Sequence, residues 1–504
     1  MPRVAALFYD VILAFLGAAA FTLVLNENVP AAHVLAHLPG PLAALLKPFA
    51  KQTVMVMGSF TVTLLLRFVI PRAPGGPEPV GKNEVAQTAG LDFVRLDPDD
   101  PRTFERICGH ISTMSRSGGI EIPDLVNEII LSAAFLRASD IHIEPKGKLV
   151  KLVYRIDGIM KDITQLPKEL EQAVINRLKI TSRLDISKTD APQDGRIEGK
   201  IRDRAMNLRV SIFPTLHGEK AVIRILDSSK KLPKLDDFGV HPDVLADLRK
   251  MLHAPQGMIL VTGPTGSGKT TLLYSALREI LEEEESKRNI VTLEDPIEQE
   301  LEDINQSQVD NKRGLTFAVG LRTLLRQDPD IIMVGEIRDA ETAKIALQAG
   351  QTGHLILSTI HSNNAASAFG RLIEMGLEPF LLASSVSGVI AQRLVRRICP
   401  NCPVRKTPPP ALLEQIGIPP ESNRSFYEGA GCSECNNTGF AGRMAIIELL
   451  RMNESVADAI LRKLSAPEIE KAARQKGMIT LLEDGLAKVN EGHTSLVELL
   501  RVVQ

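Results

Sequence analysis

The run Gly263-Pro264-Thr265-Gly266-Ser267-Gly268-Lys269-Thr270 restricts this chain more than any other stretch. It matches G-x-x-x-x-G-K-[ST]. The apolar, strand-like Met258-Ile259-Leu260-Val261 precedes it, and Thr271-Leu272-Leu273-Tyr274-Ser275-Ala276-Leu277 opens a helix after it. Glycines in such a loop let backbone N–H groups close around phosphate oxygens without Cβ clashes, and the helix N-terminus adds positive potential. Strand, glycine-rich loop and helix in that order point to an α/β sheet with a phosphate site at one edge. Gly263 to Thr271 are the candidate nucleotide contacts. The Lys269 ammonium would reach the β- and γ-phosphates of ATP, and the Thr270 hydroxyl would face Mg²⁺.

Three later segments have the spacing of a RecA-like core, whose strands deliver loops to one edge. In Val291-Thr292-Leu293-Glu294-Asp295-Pro296-Ile297-Glu298 an apolar strand ends in paired carboxylates. Glu294 and Asp295 either serve the metal and the attacking water or form an acidic loop capping a helix. In Ile331-Ile332-Met333-Val334-Gly335-Glu336 a buried strand presents Glu336 at its tip, the best single candidate for the catalytic carboxylate. Phosphate-loop ATPases usually carry an Asp for Mg²⁺ at the place of Gly335. That duty then passes to Glu294 or Asp295. The third segment, Gly353-His354-Leu355-Ile356-Leu357-Ser358-Thr359-Ile360-His361, flanks a strand with two histidines that sense the nucleotide or serve structure alone.

Of five cysteines, four form two C-x-x-C pairs, Cys399/Cys402 and Cys432/Cys435. Each short turn brings two sulfurs onto one ion, so the set reads as a closed, structural Zn²⁺ site. Cys108 reads as a small core residue.

At 504 residues the chain holds several domains. A net charge of −2, 4% aromatic residues and no Trp give no footing for nucleic acid. Two apolar runs near the start, Val4 to Leu25 and Val54 to Ile70, predict a transmembrane hairpin over residues 1–70. The alternatives are a cleaved signal peptide for the first run, or one span with an interfacial or buried second helix. Residues 71–103, rich in Pro and Gly at their start, read as a linker. A smaller α+β domain is expected over 104–232, with Asn207 to Ile212 and Ala221 to Leu226 facing each other as strands. The ATPase domain follows over 233–504, with a zinc subdomain at 396–445 and a helical C-terminal region.

These segments together resemble the GspE/PilB family of hexameric secretion ATPases, which drive type II secretion and type IV pilus assembly. Further carriers are Arg137-Ala138-Ser139-Asp140-Ile141-His142-Ile143-Glu144-Pro145, Arg155-Ile156-Asp157-Gly158, Gln193-Asp194-Gly195-Arg196, His217-Gly218-Glu219-Lys220, Gly439-Phe440-Ala441-Gly442-Arg443 and Asp484-Gly485-Leu486. The resemblance implies a homohexamer at the cytoplasmic face of a bacterial inner membrane, working on an inner-membrane platform protein. It also implies that Arg209 and Arg224 act as arginine fingers, with Arg322 and Arg326 as weaker candidates for interface or phosphate contacts. The cysteine set points to the assembly or secretion branch, since retraction ATPases lack it. Two departures stand out: a membrane hairpin in place of the family's soluble N-terminal domain, and Asn364 where the family's loop has Asp. Competing readings are a membrane-tethered nucleotide-binding scaffold and the motor of a DNA-uptake pseudopilus. An ABC transporter is disfavoured because no L-S-G-G-Q run occurs.

Overall fold

In the smaller domain, alternating apolar and polar residues build a sheet with one covered face. β1 (Ala138–Pro145), β2 (Leu149–Ile156), β3 (Ile159–Pro167), β4 (Gln193–Ile201), β5 (Arg204–Thr215) and β6 (Gly218–Asp227) form an antiparallel sheet in the order β3-β2-β1-β6-β5-β4. The computed structural model of the protein describes residues 103–116, 121–201, 204–227, 231–282, 288–419 and 425–503. The expected membrane hairpin (1–70) and all but the last residue of the 71–103 linker lie outside the described residues. Among the described residues, no helix is long and apolar enough to cross a membrane.

Helices Thr103–Arg116, Ile122–Phe135 and Glu171–Thr181 supply Ile111, Ile129 and Leu178 to a core shared with Ile141, Leu152, Val210 and Ile223 of the sheet. The predicted facing strands pair as β5 and β6, with Leu208 opposite Ile225 and Ile212 opposite Ala221. The β2–β3 turn falls on Asp157 and Gly158, with φ of 47° and 84°. Asp tolerates the left-handed region through local hydrogen bonding, and Gly has no Cβ to clash.

The other sheet face carries charge. Asp140 is paired in register with Arg155 on β2 and with Arg224 on β6. Arg224 is paired with Arg209 on β5, and Arg209 with Arg196 on β4. One row crosses five strands with four arginines and one aspartate.

The second sheet holds β7 (Gly257–Thr262), β8 (Ile290–Glu294), β9 (Asn305–Gln308), β10 (Ile331–Val334), β11 (Leu355–Ile360) and β12 (Val386–Ile398). A small pair, β13 (Pro403–Arg405) and β14 (Tyr427–Gly429), precedes β15 (Phe440–Arg451). The order is β15-β12-β7-β11-β10-β8-β9, parallel except for the antiparallel edge strand β15. β7, β8, β10 and β11 are buried along their whole length, as a parallel sheet covered on both faces requires. Their C-terminal ends, Thr262, Glu294, Val334 and Ile360, open on the same edge.

Candidate active site

The phosphate loop joins β7 to the helix Lys269–Glu282. It is braced from behind by Gln392 of β12, which is fully buried and donates through Nε2 to the Ser267 carbonyl at 2.8 Å. The glycines are what permit this closeness. A Cβ at Gly263 would lie 2.4 Å from the Gln392 carbonyl oxygen, and one at Gly268 would lie 2.7 Å from Gln392 Nε2. Lys269 folds back over the loop, with Nζ donating to the carbonyls of Gly263 (2.8 Å) and Pro264 (3.1 Å). Burial lowers the pKa of this ammonium; Glu336 opposes that shift and Arg393 reinforces it. Thr270 projects into the cleft, and its hydroxyl has no protein partner among the described residues.

Glu336 stands just past β10. Its carboxylate accepts from the Arg338 guanidinium, and His361 Nε2 lies 3.6 Å away. Arg338 also reaches Asp295 at 3.3 Å, so one guanidinium bridges two candidate acids. Gly335 follows from the sheet itself: a Cβ there would press at 3.3 Å on the Glu294 Cα and at 3.4 Å on the Leu293 carbonyl oxygen. A larger residue would have to push β8 aside.

One sequence expectation narrows here and one needs correcting. Glu294 is 2% exposed, and its carboxylate accepts from the Tyr274 hydroxyl, from Thr292 at 2.7 Å and from Gln306 at 3.0 Å. Three donors of its own domain engage it, so it anchors the acidic loop; it lines the cleft together with the more exposed Asp295. Burial, with the Glu294 charge beside it, pushes the Tyr274 hydroxyl well above its ordinary pKa. His354 is the correction. It precedes β11 at the sheet edge opposite the phosphate loop, with Nδ1 3.2 Å from the Ala349 carbonyl oxygen. Six strand residues separate it from the site edge, roughly 20 Å. Only His361 of the two joins the site. Arg322 pairs with Glu341 at 2.6 Å, Arg326 donates to the Arg322 carbonyl, and neither lines the cleft. Asn364 caps the helix Ala365–Glu374, accepting from Ser367 N at 2.9 Å, a task Asn and Asp do about equally well.

The charged face of the smaller domain closes the other side of a cleft of about 1070 Å³. Arg209 and Arg224 both line it, as does Arg155, which the sequence reading quoted as a carrier of the resemblance but gave no role in the site. Arg209 holds the acidic loop, donating to Glu298 Oε1 at 3.0 Å and to the Ile297 carbonyl at 2.8 Å. Arg224 Nε lies 3.2 Å from Asp140 Oδ1.

Well away from the phosphate loop, at the far end of β12, the four cysteine sulfurs lie within 4.8 Å of one another. Three of their separations are 3.7, 3.9 and 3.7 Å. A tetrahedron of Zn–S bonds near 2.3 Å has edges of about 3.8 Å, so the donor set fits zinc. Burial raises the Cys435 thiol, but the amides of Cys432 and Gly439, each 3.2 Å from Sγ, outweigh it and bring the pKa down to about 7. A closed four-sulfur site leaves no open position, and its place between β12 and β15 makes it a clamp on the inserted segment.

A parallel sheet with this loop, a carboxylate at a neighbouring strand tip and arginines from a preceding α+β domain define a phosphate-loop, nucleotide-binding ATPase. The family model described as "Type II/IV secretion system protein" matches residues 116–501. The chain belongs to that family. It is 43% identical over 419 residues to the type II secretion system protein HxcR of Pseudomonas aeruginosa, covering 83% of this chain and 84% of that one. It is 46% identical over 377 residues to the type IV pilus assembly ATPase PilB of Thermus thermophilus, covering 74% of this chain and 42% of that relative's length. Among solved structures it is similar to the Legionella pneumophila ATPase DotB, with a TM-score of 0.56 and 25% identity over 77% of this chain and 97% of DotB.

Proposed function

We infer that this protein is an ATPase that hydrolyses ATP with Mg²⁺ to power type II protein secretion or type IV pilus assembly. The observation that carries this is one cleft in which Lys269 and Thr270 of the phosphate loop and Glu336 of the next-but-one strand meet arginines of the smaller domain. Bound Mg²⁺ supplies charge neutralisation at the β- and γ-phosphates; the Thr270 hydroxyl and the Asp295 carboxylate are the groups that would hold it. The chain's own residues do the rest by positioning. Lys269 exchanges the Gly263 and Pro264 carbonyls for phosphate oxygens. Arg209 gives up Glu298 for phosphate, and Arg224 joins it. Glu336 accepts a hydrogen bond from the attacking water, with His361 beside it. Such preorganised charge supplies most of the rate enhancement in phosphoryl transfer.

As in the resemblance noted above, the working form is a homohexamer acting on an inner-membrane platform protein. The apolar runs of residues 1–70 tether it as a hairpin to the cytoplasmic face of the inner membrane. The cysteine set holds Zn²⁺ and favours the assembly or secretion branch. Phosphate release by the purified protein tests the reading. Lys269→Ala abolishes it, and Glu336→Gln lowers it by about 100-fold or more while ATP still binds. Undiminished hydrolysis in Glu336→Gln refutes that carboxylate's role. A wild-type protein that binds ATP without releasing phosphate is a scaffold instead.

A further inference from the structure

We propose that Asp140 is a positioning residue that holds Arg155 and Arg224 as a pair of phosphate-facing guanidinium groups alongside Arg209. This rests on the reading of the cleft as the ATP site. Asp140 lies on β1 between the two arginines, paired in register with Arg155 on one side and Arg224 on the other. It is 8% exposed. Its Oδ1 lies 3.2 Å from Arg224 Nε, its Oδ2 lies 3.6 Å from Arg155 Nε, and Ser139 Oγ fixes the carboxylate by donating to Oδ2 at 2.8 Å.

Both arginines meet the carboxylate through Nε, which leaves their terminal nitrogens extending past it. Arg155 Nη1 donates to the Gly158 carbonyl at 3.0 Å. No other terminal nitrogen of Arg155 or Arg224 has a protein partner among the described residues. Arg209 is different, because both of its terminal nitrogens are committed to Glu298 and Ile297. The three cleft arginines of the smaller domain therefore divide into one latched to the acidic loop and two presented to the cavity. Two guanidinium groups flanking one strand repel each other, and at short range in a partly desolvated cleft a single buried carboxylate between them decides where they point. Of the row, three arginines and the one aspartate line the cleft, and that positive excess fits a polyphosphate chain, whose charge they would share with Lys269. Asp140 touches no phosphate in this arrangement. It acts through its neighbours.

The experiment is steady-state ATP hydrolysis by the full-length protein over a range of ATP concentrations. It compares wild type with Asp140→Asn, Arg155→Gln, Arg224→Gln, the double variant Asp140→Asn/Arg224→Gln, and Lys269→Ala. Asp140→Asn is expected to lower kcat about ten-fold with KM changed less than three-fold, as for a contact made in the transition state. Arg155→Gln is expected to lower kcat/KM about ten-fold. The double variant is expected to lose little beyond Arg224→Gln alone, because the two act as a unit. Wild-type kcat in Asp140→Asn, or losses that multiply in the double variant, would overturn the proposal. Should Asp140→Asn fail to fold by circular dichroism, Arg155→Gln decides, since its side chain is 38% exposed and its truncation leaves the core intact. Wild-type kinetics there overturn the proposal as well. Equal phosphate release from wild type and Lys269→Ala overturns instead the ATP-site reading, and this inference falls with it.

Discussion

Replacing Gln392 by Met tests whether the phosphate loop is held from behind. The two side chains have similar volume, so little cavity or overpacking follows, and the change removes polarity alone. What is lost is the 2.8 Å hydrogen bond from Nε2 to the Ser267 carbonyl, in a place where Gln392 has no exposed surface. A buried carbonyl left without that donor costs about 1–3 kcal/mol. The bond exists before nucleotide arrives, so the cost falls first on the loop's own closed state. Local opening should then become about 5- to 150-fold more frequent, the same free energy expressed as an equilibrium constant. Amide hydrogen exchange at Gly266 to Thr270 is the assay, read against the strands β10 and β11 as internal controls. ATP affinity should weaken by no more than the same factor. Exchange at those amides equal to wild type would refute the claim that β12 braces the loop.

Glu298→Gln should lower the KM for ATP by up to about five-fold, because Arg209 no longer has to leave an ion pair whose half-exposed geometry is worth about 1 kcal/mol or less. A KM that rises would count against the latch. Glu128 gives a pH prediction: burial raises its pKa from 4.5 to about 7, so the folded state favours the proton more than the unfolded state does. Stability of the smaller domain should be greatest below pH 4.5 as far as this group is concerned, decline as pH rises towards 7, and level off above. Urea unfolding should lose that slope in Glu128→Gln. Metal analysis of protein purified without chelator should find about one zinc per chain, and Cys399→Ser with Cys432→Ser should abolish it and expose residues 403–431 to limited proteolysis.

What could be read from the sequence was contiguous. The phosphate loop, the strand ending in Glu336 and the two cysteine pairs each carry their chemistry within a few residues, so spacing alone exposes them. What could not be read depends on partners far apart along the chain. Gln392 meets Ser267 across 125 positions, and only the strand order β12 beside β7 brings them together. Asp140 and Arg155 gain their roles from cross-strand register, which no local pattern encodes. His354 misled for a related reason: two histidines flanking one strand look adjacent in sequence, yet a strand holds its ends apart. Glu294 looked like Asp295's equal because the text of the sequence does not show that Tyr274, Thr292 and Gln306 converge on one carboxylate and leave the other to Arg338.

The arginine row sets a rule about which length changes the smaller domain can survive. Strand side chains alternate between faces with a period of two. Deleting one residue within β5 upstream of Arg209 leaves the strand free to re-pair, but any one-residue slip turns Arg209 into the core and a leucine or valine into the phosphate cleft. Such a deletion damages folding and catalysis in the same stroke. The turn at Leu216 and His217, where Leu216 is 92% exposed and no ladder pair is broken, is the place where residues can be added without disturbing the row. Insertions across this sheet should therefore be tolerated at its hairpin tips and rejected inside its strands.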